Sequence, residues 1–135
     1  MLVITPVFSS SAEDLFSAWT DPAVMRQWLF KGDDSEIESI AIDLAVGGRF
    51  SILERTRAGT IDHFGNYLSI DRPNLLSFTL EVPAHFPGTS QVEIGFRQVE
   101  AGCEMVFRQA GVDPEIVEGS WRRMFIALAR VLLSR

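Results

Sequence analysis

The C-terminal stretch, residues 113–135, is the longest periodic segment of the chain and constrains the fold more than any other feature. Its large apolar residues recur at three- and four-residue steps, which on an α-helix form one stripe roughly 120° wide. The stripe consists of Val117, Trp121, Met124, Phe125, Leu128, Val131 and Leu132. Asp113 suits the N-cap and Pro114 the first helical position. A helix of about twenty residues is about 30 Å long, so the stripe requires a broad apolar partner.

The middle of the chain supplies such a partner, because it reads as a series of β-strands. Apolar and polar residues alternate in six runs between positions 37 and 107. Ile40, Ile42 and Leu44 share one face of the first run. Glycine-containing turns, such as residues 46–48, separate several of the runs. Strands joined by short turns pair antiparallel, so the sequence predicts an antiparallel sheet.

The N-terminal segment predicts one strand followed by two short helices. Residues 2–8 form a β-prone run. Ser10, with Glu13 three residues later, predicts a capping box at the start of the first helix. Asp21 followed by Pro22 predicts the start of the second helix.

The complete order, β-α-α-β6-α, predicts an α+β protein in which a sheet of about seven strands holds the C-terminal helix. A chain of 135 residues suits one core, so we expect a single domain over residues 1–135. A sheet that wraps around a helix leaves space between the two layers, where we expect a binding cavity.

Composition and charge exclude several classes of function. The net charge is −6 without a basic stripe, which argues against nucleic-acid binding, because phosphate neutralisation supplies most of that affinity. No apolar run approaches the ~20 residues of a membrane span, and no basic region precedes the first apolar residues, so we expect a cytoplasmic protein without membrane contact. One cysteine and two histidines are too few for a metal cluster, and no phosphate-binding loop occurs, so we expect no metal and no cofactor.

Four short motifs occur in the order typical of a known family. They are Thr20-Asp21-Pro22 with Trp28, the segment VGGRF at 46–50, the segment GNYLSIDRP at 65–73 with Leu75, and Gly119 with Trp121 before the leucine-rich helix. Over nearly its whole length the sequence therefore resembles the activator of heat-shock protein 90 ATPase, C-terminal-domain-like family, of the START-like (SRPBCC, Bet v-like) superfamily. The resemblance implies a helix-grip fold, in which a curved antiparallel sheet holds a long C-terminal helix with a cavity between them.

Two positions depart from the pattern of the family. Ser120 separates Gly119 from Trp121, which are adjacent in many relatives, and Gln109 stands where many relatives end the last strand with histidine. No ligand-contacting residue is therefore taken over from the family. Because the superfamily includes carriers, cyclases, receptors and co-chaperones, the fold does not determine the function.

Large inward-facing side chains are the candidates for the wall of the cavity. Aromatic rings and methionines line many sites for small apolar molecules, although each of these residues has packing in the core as its alternative role. The residues expected to bind the ligand are Trp28, Phe50, Ile52, Glu54, His63, Tyr67, Phe78, Phe96, Met105, Phe107, Trp121, Met124, Phe125 and Leu128.

Glu54 and His63 are the weak candidates for chemistry. Glu54 is in phase with Phe50 and Ile52, and His63 lies on the next strand, so both side chains meet across the hairpin if both point inward. Such a pair can perform acid–base chemistry or orient a polar ligand group. The alternative is that both lie near strand ends in solvent.

Other residues carry smaller hypotheses. His85 lies in the loop at residues 83–89, which is either a lid over the cavity or a variable surface loop. Cys103 has no activating neighbour in sequence and is expected to fill space in a strand. Ile126 and Leu133 lie opposite the main stripe of the last helix, where they mark a contact in a homodimer, pack against a neighbouring loop or are exposed by chance.

Three functional hypotheses follow. The first is a non-catalytic domain that binds a hydrophobic or amphipathic small molecule. The second is an enzyme of the cyclase, aromatase or dehydratase type that uses Glu54 and His63. The third, implied by the resemblance alone, is a co-chaperone that stimulates a heat-shock ATPase, although the extra N-terminal domain of such activators is absent from this chain.

Overall fold

A computed structural model describes residues 1–134, and Arg135, the last residue of the predicted C-terminal helical stretch, lies outside the described residues. The elements are β1 (Leu2–Ile4), β2 (Val7–Phe8), α1 (Ala12–Thr20), α2 (Pro22–Met25), β3 (Glu36–Ile42), β4 (Arg49–Thr56), β5 (Gly59–Asp71), β6 (Leu75–Leu80), β7 (Ser90–Val99), β8 (Gly102–Ala110) and α3 (Pro114–Leu133). The strands form one curved antiparallel sheet in the order β1-β8-β7-β6-β5-β4-β3, with β2 also paired to β8. The predicted α+β helix-grip fold is confirmed.

The helix α3 begins and packs as its sequence predicts. Asp113 is the N-cap, and its carboxylate accepts a hydrogen bond of 3.0 Å from the backbone N–H of Glu115. The buried part of the stripe comprises Val117, Trp121, Met124, Phe125 and Leu128. Val131 and Leu132 are partly buried against the same core. The stripe covers the inner face of the sheet, which supplies the broad apolar partner that it requires.

A second interaction, which is polar, also joins α3 to the sheet. The indole Nε1–H of Trp121 donates to Gln109 Oε1 on β8 at 2.8 Å. The Gln109 amide donates to Ser90 Oγ on β7 at 3.1 Å, and that hydroxyl donates to the Leu80 carbonyl at 2.9 Å. Gln109 and Ser90 have no exposed surface. Because the chain of hydrogen bonds is complete, it orients the Trp121 ring without leaving a buried polar group of Gln109 unpaired.

The first strand is divided in two, which raises the number of strands from the predicted seven to eight. Both β1 and β2 pair with β8, and they are separated at Pro6. Proline has no N–H to donate to a ladder, although the Pro6 carbonyl still accepts from the Met105 N–H at 2.9 Å.

The predicted capping box at Ser10 is wrong. Ser11 is the N-cap of α1, and its hydroxyl accepts from the Asp14 N–H at 3.0 Å. The Ser10 hydroxyl is buried and has no hydrogen-bond partner among residues 1–134. Glu13 forms an ion pair of 2.5 Å with Arg72 instead of returning to the cap. Three consecutive serines precede this helix, and their pattern alone does not distinguish the capping one.

Leu44 also departs from its predicted place. The strand β3 ends at Ile42, and the Leu44 side chain is 43% exposed. Leu44 lies beyond the last paired residue of β3, so the alternation that Ile40 and Ile42 share does not extend to it. No helix within residues 1–134 is both long enough and apolar enough to cross a membrane.

Candidate ligand-binding cavity

A cavity of about 310 Å³ lies between the N-terminal half of α3, the β4–β5 hairpin and the segments that follow α2 and β6. Its wall is mostly apolar, and its polar side chains come from four different parts of the chain. The lining residues are Phe30, Lys31, Gly32, Glu54, His63, Leu80, Val82, His85, Ile116, Val117, Ser120, Trp121, Arg123 and Met124.

The cavity contains only part of the predicted binding set. Glu54, His63, Trp121 and Met124 line it, and His85 lies in its wall as a residue of the loop predicted as a lid. The other predicted residues are buried elsewhere in the core and do not line this cavity: Trp28, Phe50, Ile52, Tyr67, Phe78, Phe96, Met105, Phe107, Phe125 and Leu128.

These aromatic residues fill the remaining space between the sheet and the helices. The Trp19 and Trp28 rings are 4.7 Å apart and nearly perpendicular, and the Phe107 ring is 4.6 Å from that of Trp121. The Trp28 Nε1–H donates to the Ala18 carbonyl at 2.9 Å, so the one polar group of this buried indole is paired. Edge-to-face and tilted rings at these distances pack closely, so side chains fill this part of the core.

Phe30 is the most distinctive residue that the sequence did not indicate. Its backbone φ of 57° lies in the left-handed region, which is uncommon for a residue other than glycine. Its ring stacks on the His63 imidazole with centroids 4.4 Å apart and planes 12° apart. Its N–H points to the sulfur of Met124 at 3.1 Å. Phe30 therefore joins the two sides of the cavity. No sequence pattern predicts a phenylalanine with a positive φ at this position.

Glu54 and His63 lie close together on the inner face of the sheet. In the register of β4 and β5, Ile52 is opposite His63, so Glu54 occupies the diagonal position on the same face. Glu54 Oε1 is 3.6 Å from His63 Nε2, and both residues are buried. The second oxygen, Glu54 Oε2, accepts from the Ser35 hydroxyl at 2.6 Å. The Gly32 N–H donates to that hydroxyl at 2.8 Å, which orients the whole arrangement.

The contacts of His63 define its tautomer. Its Nδ1 is 3.2 Å from the Ile52 carbonyl, which can only accept, so Nδ1 carries a hydrogen. Burial lowers the pKa of His63, and this effect outweighs the Ile52 hydrogen bond and the nearby Glu54 carboxylate, which raise it. The His85 side chain also lowers this pKa. At neutral pH His63 is therefore an uncharged imidazole whose Nε2 presents a lone pair.

The mouth of the cavity differs in charge from its interior. Lys31 and Arg123 line the cavity and are more exposed than Glu54 and His63. Neither cation lies within 4.0 Å of a carboxylate among residues 1–134. The cavity thus has an acidic and imidazole-containing inner end and a cationic outer end.

Other possible sites contribute less. Within residues 1–134 no group of three histidine, cysteine, aspartate or glutamate residues could hold a metal ion. Cys103 is fully buried outside the cavity, and burial raises the pKa of its thiol, which disfavours the nucleophilic thiolate. Ile126 and Leu133 are 57% and 74% exposed on the outer face of α3.

Comparison with protein families gives a match over most of the chain. The family model described as Activator of Hsp90 ATPase homolog 1-like protein matches residues 9–132. No curated protein matches the sequence.

Several solved structures have the same fold. A protein from Chromobacterium violaceum is 20% identical, with a TM-score of 0.86 over 96% of this chain and 94% of that chain. An AHSA1-like protein from Aeromonas hydrophila is 20% identical, with a TM-score of 0.86 over 98% of this chain and 92% of that chain. A protein of unknown function from Staphylococcus aureus is 19% identical, with a TM-score of 0.83 over 98% and 93% of the two chains. At these identities the likeness establishes the fold alone.

Proposed function

This chain belongs to the Activator of Hsp90 ATPase homolog 1-like family, and we propose that it binds a hydrophobic or amphipathic small molecule between its sheet and α3. The observation that carries the proposal is the cavity of about 310 Å³ with mostly apolar walls and a few convergent polar groups. Its volume lies at the lower end of the ~300–1,000 Å³ range of small-molecule sites. The ligand is therefore small, of the size of one substituted aromatic ring or a short acyl chain.

The expected affinity is moderate. If the ligand buries about 250 Å² of apolar surface, that burial contributes about 6 kcal/mol at 25 cal/mol per Å². The loss of translational and rotational freedom offsets a large part of this contribution. Hydrogen bonds in the cavity add to it, so we expect a Kd between about 1 μM and 1 mM for simple apolar compounds.

A cavity-filling variant tests the proposal. Val117 is 7% exposed and lines the cavity, so the larger ring in Val117→Phe should occupy space meant for the ligand. Ile126→Phe places the same ring on the exposed face of the same helix and is the matched control. Native mass spectrometry after gentle purification should detect a bound small molecule on the wild type and on Ile126→Phe but not on Val117→Phe.

Titration with small aromatic compounds, followed by tryptophan fluorescence, extends this test to ligands that do not survive purification. Trp121 lies in the wall of the cavity, so its emission should respond to occupancy. A bound molecule that Val117→Phe retains would place the ligand elsewhere. The absence of any bound molecule, together with no response to the aromatic compounds, would contradict the proposed function.

The contact between Glu54 and His63 favours a second candidate function, that of an acid–base enzyme of the cyclase, aromatase or dehydratase type. Both groups line an apolar cavity 3.6 Å apart, where a base with little solvation is effective. The probe 5-nitrobenzisoxazole measures this directly: a base removes its ring C–H proton, the N–O bond breaks, and a coloured cyanophenolate forms. Turnover that is equal in the wild type, in His63→Gln and in Glu54→Gln would contradict this second function. Stimulation of a heat-shock ATPase stays a prediction from the resemblance.

A further inference from the structure

We propose that the ligand enters the cavity with a hydrogen-bond donor at its buried end and an anionic group at its exposed end. This inference rests on the proposed binding function and specifies the chemical class of the ligand. The class is that of small, mostly apolar carboxylic acids with an amino or hydroxyl group at the far end from the carboxylate.

The buried end presents two acceptors that face each other. With Nδ1–H directed at the Ile52 carbonyl, His63 offers only the lone pair of Nε2. Glu54 Oε2 is already engaged by Ser35, which leaves Oε1 directed at that lone pair from 3.6 Å. Within residues 1–134, no group donates a hydrogen bond to either atom. A donor on the cavity side, about 3 Å from each atom, can bridge these two acceptors, and a ligand can supply it.

Both acceptor atoms are accessible from the cavity. Among residues 1–134, Ser10 Oγ is the single enclosed side-chain nitrogen or oxygen without a hydrogen-bond partner. Glu54 Oε1 and His63 Nε2 also have no donor, so they are not enclosed and retain accessible surface. Since both residues line the cavity, this surface faces the ligand. A primary amino group has two hydrogens and reaches both acceptors, whereas a methyl group of the same size reaches neither as a donor.

The outer end presents cations without acidic partners. Lys31 Nζ donates to the Gly32 carbonyl at 3.2 Å, and an Arg123 guanidinium N–H donates to Ser120 Oγ at 3.3 Å. Both acceptors are uncharged, and among residues 1–134 neither cation forms an ion pair, which is also true of Arg26, Arg49, Arg57 and Arg130 elsewhere on the surface. In a chain of net charge −6, two cations that have no carboxylate partner within residues 1–134 and line the same cavity form a local anion-attracting site.

The apolar walls connect these two ends. Leu80, Val82, Val117, Trp121 and Met124 lie in the wall together with the polar groups. A ligand that carries both a donor and an anionic group can therefore contact the acceptors, the apolar wall and the cations at the same time. The opposite orientation would place the ligand carboxylate against the Glu54 carboxylate and the His63 lone pair. Two buried negative charges in contact are strongly unfavourable.

Three matched probes test the inference by isothermal titration calorimetry: 4-aminocinnamate, 4-methylcinnamate and 4-aminocinnamamide. The first two differ only in the donor, and the first and third differ in the negative charge. We expect 4-aminocinnamate to bind roughly tenfold or more tightly than 4-methylcinnamate. The methyl compound leaves both buried acceptors without a donor, which weakens binding by at least about tenfold. We expect the acid to bind about threefold to tenfold more tightly than the amide at low salt, and this preference should shrink at high salt.

Conservative variants assign each preference to its residues. In Glu54→Gln the new amide can donate to His63 Nε2 and accept from Ser35, so the preference for amino over methyl should fall to about threefold or less. Lys31→Gln with Arg123→Gln should remove the preference for the acid over the amide and leave the amino preference intact. Circular dichroism and thermal unfolding of each variant verify that the fold is retained.

The outcomes separate this inference from the proposed function. Equal binding of the amino and methyl compounds, or an amino preference that persists in Glu54→Gln, would overturn the donor assignment while the cavity remains a binding site. An acid preference unaffected by Lys31→Gln with Arg123→Gln would overturn the anion assignment. If none of the probes binds and the wild type also carries no molecule in native mass spectrometry, the inference and the proposed function both fail.

Discussion

Replacing Gln109 by leucine should destabilise the protein more than its similar size suggests. The leucine keeps most of the volume but removes the acceptor for the Trp121 indole and the donor to Ser90. The indole N–H would then be buried and unpaired, which costs about 1–3 kcal/mol. Ser90 keeps its bond to the Leu80 carbonyl and loses only one accepted bond, worth about 0.5–1.5 kcal/mol. We therefore expect Gln109→Leu to lower the free energy of unfolding by about 2–4 kcal/mol.

A double-mutant cycle distinguishes this mechanism from loss of packing. Trp121→Phe alone removes the N–H and leaves Gln109 Oε1 without its donor. The combination of Gln109→Leu with Trp121→Phe has no indole N–H left unpaired, so its cost should be about 1–2 kcal/mol less than the sum of the two single costs. Urea denaturation followed by circular dichroism gives the three values, and the m-value should not change. A loss below about 0.5 kcal/mol for Gln109→Leu, or strictly additive costs, would refute the reasoning.

Three further predictions address pH dependence, the sheet and self-association. Burial lowers the pKa of His63 below its ordinary 6.5, so the unfolded state binds more protons than the folded state below that pH. The free energy of unfolding should therefore be highest above pH 6.5 and fall on acidification. Urea titrations at several pH values should show that His63→Gln loses this part of the pH dependence. A Cβ added at Gly65 would lie 1.8 Å from the Thr79 carbonyl oxygen, so Gly65→Ala should lower the unfolding midpoint by several degrees or prevent folding, and an unchanged midpoint in calorimetry would contradict the close approach. If Ile126 and Leu133 form a homodimer contact, sedimentation should show a dimer that changing both to glutamate converts to monomer; a wild-type monomer at all concentrations would remove that prediction.

The parts of the fold that follow from a local pattern were predictable from the sequence. The three- and four-residue steps around Trp121 and Leu128 identified α3 and its buried face, and Asp113 with Pro114 identified its start. The alternation in β4 and β5 predicted that Glu54 and His63 meet if both point inward, because side chains two residues apart share a face, and both are buried on the inner face.

The boundary between core and cavity was not predictable in the same way. The periodicity of the sequence indicates that Phe50 and Phe107 point inward. It does not indicate whether neighbouring rings fill the space around them. That depends on how α1, α2 and the sheet pack together, and these contacts join residues far apart in sequence. The conformation of Phe30 was not predictable for a related reason, since its positive φ accompanies contacts with His63 and Met124, which are distant in sequence. Similarly, nothing in the run of serines distinguished Ser11 from Ser10 as the cap.

The most direct test of the central claim is a crystal structure of the protein with 4-bromocinnamate, in which anomalous scattering locates the bromine. The proposed function predicts a single strong peak inside the cavity, next to Trp121, Val117 and His63. A parallel crystal of Val117→Phe should lack that peak. Bromine found only on the outer surface, or a cavity closed by the surrounding side chains in the crystal, would contradict the assignment of this space as a ligand-binding site.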